Sequence, residues 1–168
     1  MNNLGQELKK IKETSWEGYR RKNGVGIRNK ELIVYTVECA AFVAQHIGVK
    51  TAHPDVDVVG FTGCCDSAYA VRMLIALIRH PNVGAVLAVG NGCEYTRPHE
   101  LARIAREEEK YAESFYIQEE GGTASSIEKG TAIVREFLEK LKETPKYQMT
   151  IKDLVVGAEC GGSDYTSG

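Results

Sequence analysis

Residues 82–94 read Asn-Val-Gly-Ala-Val-Leu-Ala-Val-Gly-Asn-Gly-Cys-Glu. The apolar run 85–89 is too short for a lone helix and predicts a buried strand. Gly90 breaks it, and a thiol and a carboxylate, Cys93 and Glu94, follow just past its end. Read outward, the chain repeats this layout. Apolar runs at 32–37, 56–61, 114–118 and 154–157 each stop at small or polar residues and are followed by a Cys or an acid. Helical spacing is expected over 40–47, over 69–78, and from Pro98 to near Tyr111. It returns in a long segment marked by Ile127, Val134, Phe137, Leu138 and Leu141 that ends before Pro145.

Strand and helix alternating with short connections predict an α/β domain with a parallel sheet. The expected architecture is a three-layer, Rossmann-like domain. It has an open, mainly parallel sheet of about five strands with helices on both faces. Right-handed crossovers then place every strand-to-helix loop on one edge. Residues 1–18 are expected to be an N-terminal arm or short helix, and 19–168 one α/β domain. Within 16–30, Asn23-Gly24 marks a turn, and the segment reads as a hairpin or irregular loop.

Bulk properties narrow the function. A chain of 168 residues, 43% hydrophobic and 26% charged, is long and apolar enough for one packed core. The net charge of -2 with scattered Lys and Arg argues against a nucleic-acid partner. The apolar runs are far shorter than a membrane span, and residues 1–15 lack a signal-peptide core, so no membrane partner and a cytoplasmic location are expected. Five Cys without an export signal favour reduced thiols over a disulfide frame.

All five Cys fall at predicted strand ends: Cys39, Cys64, Cys65, Cys93 and Cys160. Beside them lie Glu38, Asp66, Glu94, Glu119, Glu120, Glu159, Ser163 and Asp164. Free Cys often packs as a small hydrophobe, and that reading holds best for Cys39. Thiolates, with Cys64, Cys93 and Cys160 the leading candidates, converging with the carboxylates of these loops would suit a borderline divalent ion such as iron or zinc. An iron–sulfur cluster on three Cys fits the same spacing. Gly121-Gly122-Thr123 opens a helix and Gly161-Gly162-Ser163 a second turn, where exposed N–H groups attract an anion such as a carboxylate. Arg20, Arg21, Arg28 and Asn29 cluster around glycines, and two or more of them would hold such a group, because a guanidinium matches a carboxylate in a two-pronged way; the same run also reads as a solvated basic loop. Only His99 of the four His lies near that edge.

Six motifs then stand in one order: GVGIRN at 24–29, VEC at 37–39, TGCC at 62–65, HPNVGAVLAVGNGCE at 80–94, IQEEGGT at 117–123 and CGGSDYTSG at 160–168. In this the chain resembles the altronate dehydratase / galactarate dehydratase family, in the first part of its large second domain, from about Tyr19 to Gly168. The resemblance implies a hydro-lyase that converts a sugar acid to a 2-keto-3-deoxy acid with Fe2+, or Mn2+, as cofactor. A carbon–sulfur lyase acting on sulfolactate belongs to the same family, so the leaving group stays open. Carried over by motif, the positions to watch are Cys64, Cys93, Glu94, Cys160 and Asp164, with Arg28 and Asn29. The loop 61–66 lacks the His that many members carry there. Full members also continue well beyond the CGGSD motif, so a partial chain is expected. Homo-oligomerisation, or association with a further domain or subunit, would complete the site.

For the chemistry, Glu94 or Glu119 is the expected base, its pKa raised by burial. Arg28, Asn29, Gly121, Gly122, Thr123 and Ser163 are the expected substrate-binding groups, and Cys64, Cys93, Cys160 and Asp164 the metal ligands. A non-catalytic assembly module is the competing reading. A thiol redox protein is disfavoured, because redox pairs prefer Cys-x-x-Cys and Cys64-Cys65 are adjacent.

Overall fold

The chain starts with helix α1 (Asn3–Glu13), then a hairpin of β1 (Ser15–Arg21) and β2 (Gly24–Gly26), in a computed structural model that describes residues 3–64, 67–162 and 165. The expected alternation follows. Its members are β3 (Lys30–Tyr35), α2 (Glu38–Thr51), β4 (Val56–Gly60), α3 (Ala68–Arg79), β5 (Val83–Gly90), α4 (Pro98–Glu107), β6 (Tyr111–Tyr116) and α5 (Thr123–Lys142). Strand β7 (Tyr147–Thr150) closes the series.

Strands β3 to β6 form one parallel sheet in the order β4-β3-β5-β6. Every residue of β5 is buried, as a central parallel strand covered on both faces requires. Alternate residues serve opposite faces. Ile33, Tyr35, Leu87, Val89 and Phe115 pack with Val43 and Ile47 of α2 and Val134 and Leu138 of α5. Leu32, Val34, Val86, Ala88 and Ala112 pack with Leu74 and Ile78 of α3 and Leu101 and Ala105 of α4. Helices therefore cover both faces, giving three layers. Helices α2 and α5 meet closely at Gly130, where a Cβ would lie 2.3 Å from Ile47 Cδ1. No helix among the described residues is long and apolar enough to cross a membrane.

The sheet has four parallel strands, and the expected fifth at 154–157 is absent. Leu154-Val155-Val156 reads as a strand by composition, but Val155 and Val156 are 95% and 75% exposed in open coil. The neighbouring segment β7 pairs instead, antiparallel to β1, with Trp16 opposite Met149. Together β2, β1 and β7 make a small antiparallel sheet. It lies at the amino ends of the parallel strands. There Asn82, just before β5, accepts the N–H of Ile27 at 2.8 Å and of Arg28 at 3.2 Å on its carboxamide oxygen. The hairpin turn falls where Asn23-Gly24 places it, and Gly24 takes φ 141°.

The hairpin docks through a glycine. A Cβ on Gly26 would lie 2.3 Å from the Pro81 carbonyl oxygen, and backbone cannot swing aside as a side chain can. Gly26→Ala is expected to lower stability by about 2–3 kcal/mol, in the range of an overpacked core. The check is the urea midpoint at constant slope. Gly5→Ala, with nothing within 4 Å of its added carbon, is the control and is expected to leave the midpoint level or slightly raised.

Candidate functional site

Strand β3 feeds α2 toward one face of the sheet, while its neighbour β5 feeds α4 toward the other. A crevice opens where neighbouring strands diverge in this way, at their carboxyl ends. Its walls are Thr36 to Cys39 after β3 and Asn91 to Glu94 after β5. The loops beyond β4 and β6 adjoin them. The Glu38 N–H donates to the Gly63 carbonyl at 3.2 Å, which brings the Cys64 loop to the start of α2. The N–H groups of Ile117 and Gln118 donate to the carbonyls of Gly90 and Asn91 at 2.9 and 3.3 Å, which joins the β6 end to the β5 loop.

Glu94 sits at the centre of this edge and is fully engaged. One carboxylate oxygen accepts the Thr36 hydroxyl at 2.8 Å and the Asn91 N–H at 2.9 Å. The other accepts the N–H of Gly92 at 2.8 Å and of Cys93 at 3.0 Å. A carboxylate has about four lone-pair sites, and these donors take them all. Burial pushes the carboxyl up, but hydrogen bonds from the Gly92 N–H, the Thr36 hydroxyl, its own N–H and the Asn91 N–H outweigh it. The net displacement is below the ordinary carboxylate value. A base raised by burial was expected here, and the shift runs the other way. Gly92, at φ 122°, allows the loop to fold around the carboxylate. The Cys93 thiol is exposed at the loop tip, 3.5 Å from the Asn91 side-chain nitrogen.

Beside Glu94 stands Tyr116, the last residue of β6. Burial raises its phenol, the charges of Glu94 and Glu119 add to that, and Arg97 opposes it. Its hydroxyl lies 3.5 Å from His99 Nδ1. Glu119 is exposed on the same edge. Next, Gly121 and Gly122 adopt φ 79° and 104°, a turn that other residues enter only with strain. Gly122 caps α5 with no side-chain hydrogen bond, so Thr123 begins the helix with its first turn open to an anion. Glu120 is occupied by an ion pair with Lys129.

The structure gathers Cys39, Cys64, Cys93, Glu94, Glu119, Gly121, Gly122 and Thr123 along the carboxyl edge. It does not bring Arg28, Asn29 or Cys160 there. Arg28 and Asn29 precede β3 and so lie at the amino rim. The Asn29 side chain accepts Arg21 and donates to the Leu141 carbonyl at 2.8 Å and to Thr144 at 3.2 Å, a joint between the hairpin and α5. The coil that follows β7 stays at that rim too, where Gly157 lines a cavity of about 400 Å³ with Ile27, Pro81 and Asn82. Cys160 is three residues further, within about 11 Å by chain reach. The eight residues of β5 span about 26 Å between the rims. With no fifth parallel strand, nothing carries Cys160 across. Ser163, Asp164, Cys65 and Asp66 lie outside the described residues.

The donor set for a metal is correspondingly incomplete. Among the described residues no three His, Cys, Asp or Glu side chains stand close enough together to hold an ion. The described residues therefore do not fit a divalent metal or an iron–sulfur cluster as a resident group. Thr36, Tyr116 and Arg97 were not legible as site residues. Thr36 falls inside the predicted run 32–37, and only the structure ends β3 at Tyr35 and leaves Thr36 one residue past it.

A family model described as D-galactarate dehydratase/Altronate hydrolase, second domain, matches residues 18–142. Altronate dehydratase of Bacillus subtilis (strain 168) is 31% identical over 92% of this chain and 33% of its own length. The (2R)-sulfolactate sulfo-lyase subunit beta of Chromohalobacter salexigens is 33% identical over 94% of the chain and 41% of its own length. Galactarate dehydratase (L-threo-forming) of Escherichia coli (strain K12) is 29% identical over 97% and 36%. The chain thus spans roughly a third to two fifths of the length of these relatives. No solved structure matches it.

Proposed function

The chain belongs to the D-galactarate dehydratase/altronate hydrolase family, where it corresponds to the second domain, and from that premise we propose that it supplies part of the active site of a lyase that removes water from a sugar acid. Altronate and galactarate are the proposed substrate class, a 2-keto-3-deoxy acid the product, and the cytoplasm the place of action. The observation that carries this reading is the convergence of the loops after β3, β5 and β6 at the point where strand order reverses.

Eliminating water next to a carboxylate needs three things: a site for the carboxylate, a base for the adjacent C–H proton, and an acid for the departing hydroxyl. The open first turn of α5, at Gly121, Gly122 and Thr123, suits the carboxylate. Glu119, exposed and with no hydrogen bond tying its carboxylate down among the described contacts, is the proposed base. The Tyr116 phenol and His99 stand beside it as proton donors. Glu94, with every lone pair committed, shapes the loop instead of taking the proton. Cys93 is exposed on that loop. Because the described donors do not group, Cys64, Cys93 and Cys160 carry no step here, and Asp164 lies outside the described residues. Dependence on Fe2+ or Mn2+ is proposed only for the complete enzyme, with ligands added by the rest of the polypeptide.

The test is 2-keto acid formation from galactarate and altronate by the enzyme containing this chain, with and without added Fe2+ or Mn2+. Glu119→Gln is expected to lower kcat at least about 100-fold, the scale of a lost general base. Sulfite release from sulfolactate with no 2-keto acid from either sugar acid would replace the hydro-lyase with the carbon–sulfur lyase.

A second reading has its own observation. On α3, Tyr69, Met73 and Leu77 are 66%, 45% and 37% exposed at four-residue spacing, beside β4 at the end of the sheet. The opposite end is guarded: the Arg106 guanidinium caps the Ala112 carbonyl of β6 at 2.8 Å. An exposed apolar stripe on this helix face suits docking onto another domain or subunit, including a second copy. If the chain makes no product but binds the remainder of such an enzyme, it is an assembly module.

A further inference from the structure

We infer that Thr36 is a positioning residue of the candidate site, acting through Glu94 on the loop that presents Cys93. Thr36 is 1% exposed and lies one residue past β3. Its N–H donates to the Val89 carbonyl at 3.1 Å, which holds it against the end of β5. Its hydroxyl has two acceptors in reach, the Val89 carbonyl at 3.4 Å and Glu94 at 2.8 Å, and the nearer one, Glu94, takes its single proton. That oxygen also accepts the Asn91 N–H, and its twin accepts those of Gly92 and Cys93. The chain of contacts runs from a rigid central strand, through one hydroxyl and one carboxylate, to three successive backbone donors.

The direction of support follows from rigidity. In the loop 91–94, Gly92 and Cys93 are exposed, Gly92 has a positive φ of 122°, and the N–H groups of Asn91, Gly92 and Cys93 turn inward onto a carboxylate rather than into a regular ladder. A carboxylate held only by the loop it organises would move with that loop. The Thr36 hydroxyl is its tie to the sheet, so the orientation of Cys93 at the crevice is set from β3. Groups that must meet a substrate need such support from behind.

The packing and hydrogen-bonding roles of Thr36 separate cleanly. Thr36→Val keeps the shape and the methyl group and loses the hydroxyl. Thr36→Ser keeps the hydroxyl and loses the methyl. Hydrogen exchange of the Asn91, Gly92 and Cys93 amides is the readout, with Leu87 and Ala88 in β5 as the control. Thr36→Val is expected to speed exchange at the three loop amides at least 10-fold while β5 stays protected, and Thr36→Ser to keep the loop protected. Unchanged loop exchange in Thr36→Val overturns the inference, as does loosening in Thr36→Ser alone. If Thr36→Val also loosens β5, Thr36→Ser and Thr36→Ala decide at the same amides: protection kept by Ser and lost by Ala supports the tie, and equal loss overturns it. The catalytic meaning of the tie rests on the lyase reading, but the exchange measurement does not. Failure to form a 2-keto acid therefore leaves the positioning result standing, and failure at the amides leaves the lyase reading standing.

Discussion

Replacing Glu31 by Gln is expected to stabilise the protein by about 3 kcal/mol at pH 7 and to change nothing near pH 4. Glu31 is the second residue of β3, fully buried between Val56 of β4 and Ala85 of β5. Neither carboxylate oxygen has a hydrogen-bond partner. Burial pushes its pKa from 4.5 up to about 9. In the folded protein the group therefore stays protonated through neutral pH, while the unfolded chain ionises above its ordinary value.

A raised folded pKa on an acid makes stability fall as pH rises, because the unfolded state releases its proton first. The loss begins near pH 4.5, continues to about pH 9 and then levels off. At about 1.4 kcal/mol for each pH unit, the interval from 4.5 to 7 costs about 3 kcal/mol. Gln keeps the shape and cannot ionise, so the slope should vanish. Urea midpoints of both proteins at pH 4, 7 and 8.5 measure it. Parallel stability across that range would show that the carboxyl finds a partner or water, and would sink the prediction.

Glu94→Gln is expected to act in the opposite direction, destabilising by roughly 2–4 kcal/mol at pH 7. The amide is nearly isosteric, but its NH2 meets donors where the carboxylate oxygen had accepted two hydrogen bonds. Two charge-assisted bonds are lost and partly buried donors are left facing a donor. The pH dependence also has the reverse sense. A depressed folded pKa contributes stability above the unfolded value of 4.5, and that contribution disappears as pH falls through the folded pKa. The wild type should therefore lose stability below pH 4.5 by a route that the Gln variant lacks. Equal urea midpoints for the two proteins at pH 7 would rule out the carboxylate as the organiser of the loop.

These two glutamates show where reading by pattern stops. Both stand next to apolar strand runs, and no spacing rule separates them. One is buried between Val56 of β4 and Ala85 of β5 with no partner for either oxygen, and it goes up. The other is met by Thr36 from a strand nearly sixty residues earlier in sequence, and by the N–H groups of its own loop, and it goes down. Sequence flagged Glu94 as a group at a strand end but had no view of the donors around it. Arg28 and Asn29 failed for a simpler reason. They precede a strand, so parallel topology alone puts them on the rim away from Glu94.

What the amino-acid order determined by itself is the alternation of β3 through α5, the hairpin turn at Asn23-Gly24, the start of α4 at Pro98 and the edge on which Cys64, Cys93, Glu94 and Glu119 emerge. Those features are local: periodicity, turn chemistry and handed crossovers act over a few residues at a time. Only the tertiary structure decided that β7 rather than 154–157 found a partner, that Cys160 stayed at the far rim and that Thr36 reached Glu94. Strand pairing and hydrogen-bond satisfaction are competitions between segments distant in sequence, and their outcome exists only once the chain has packed.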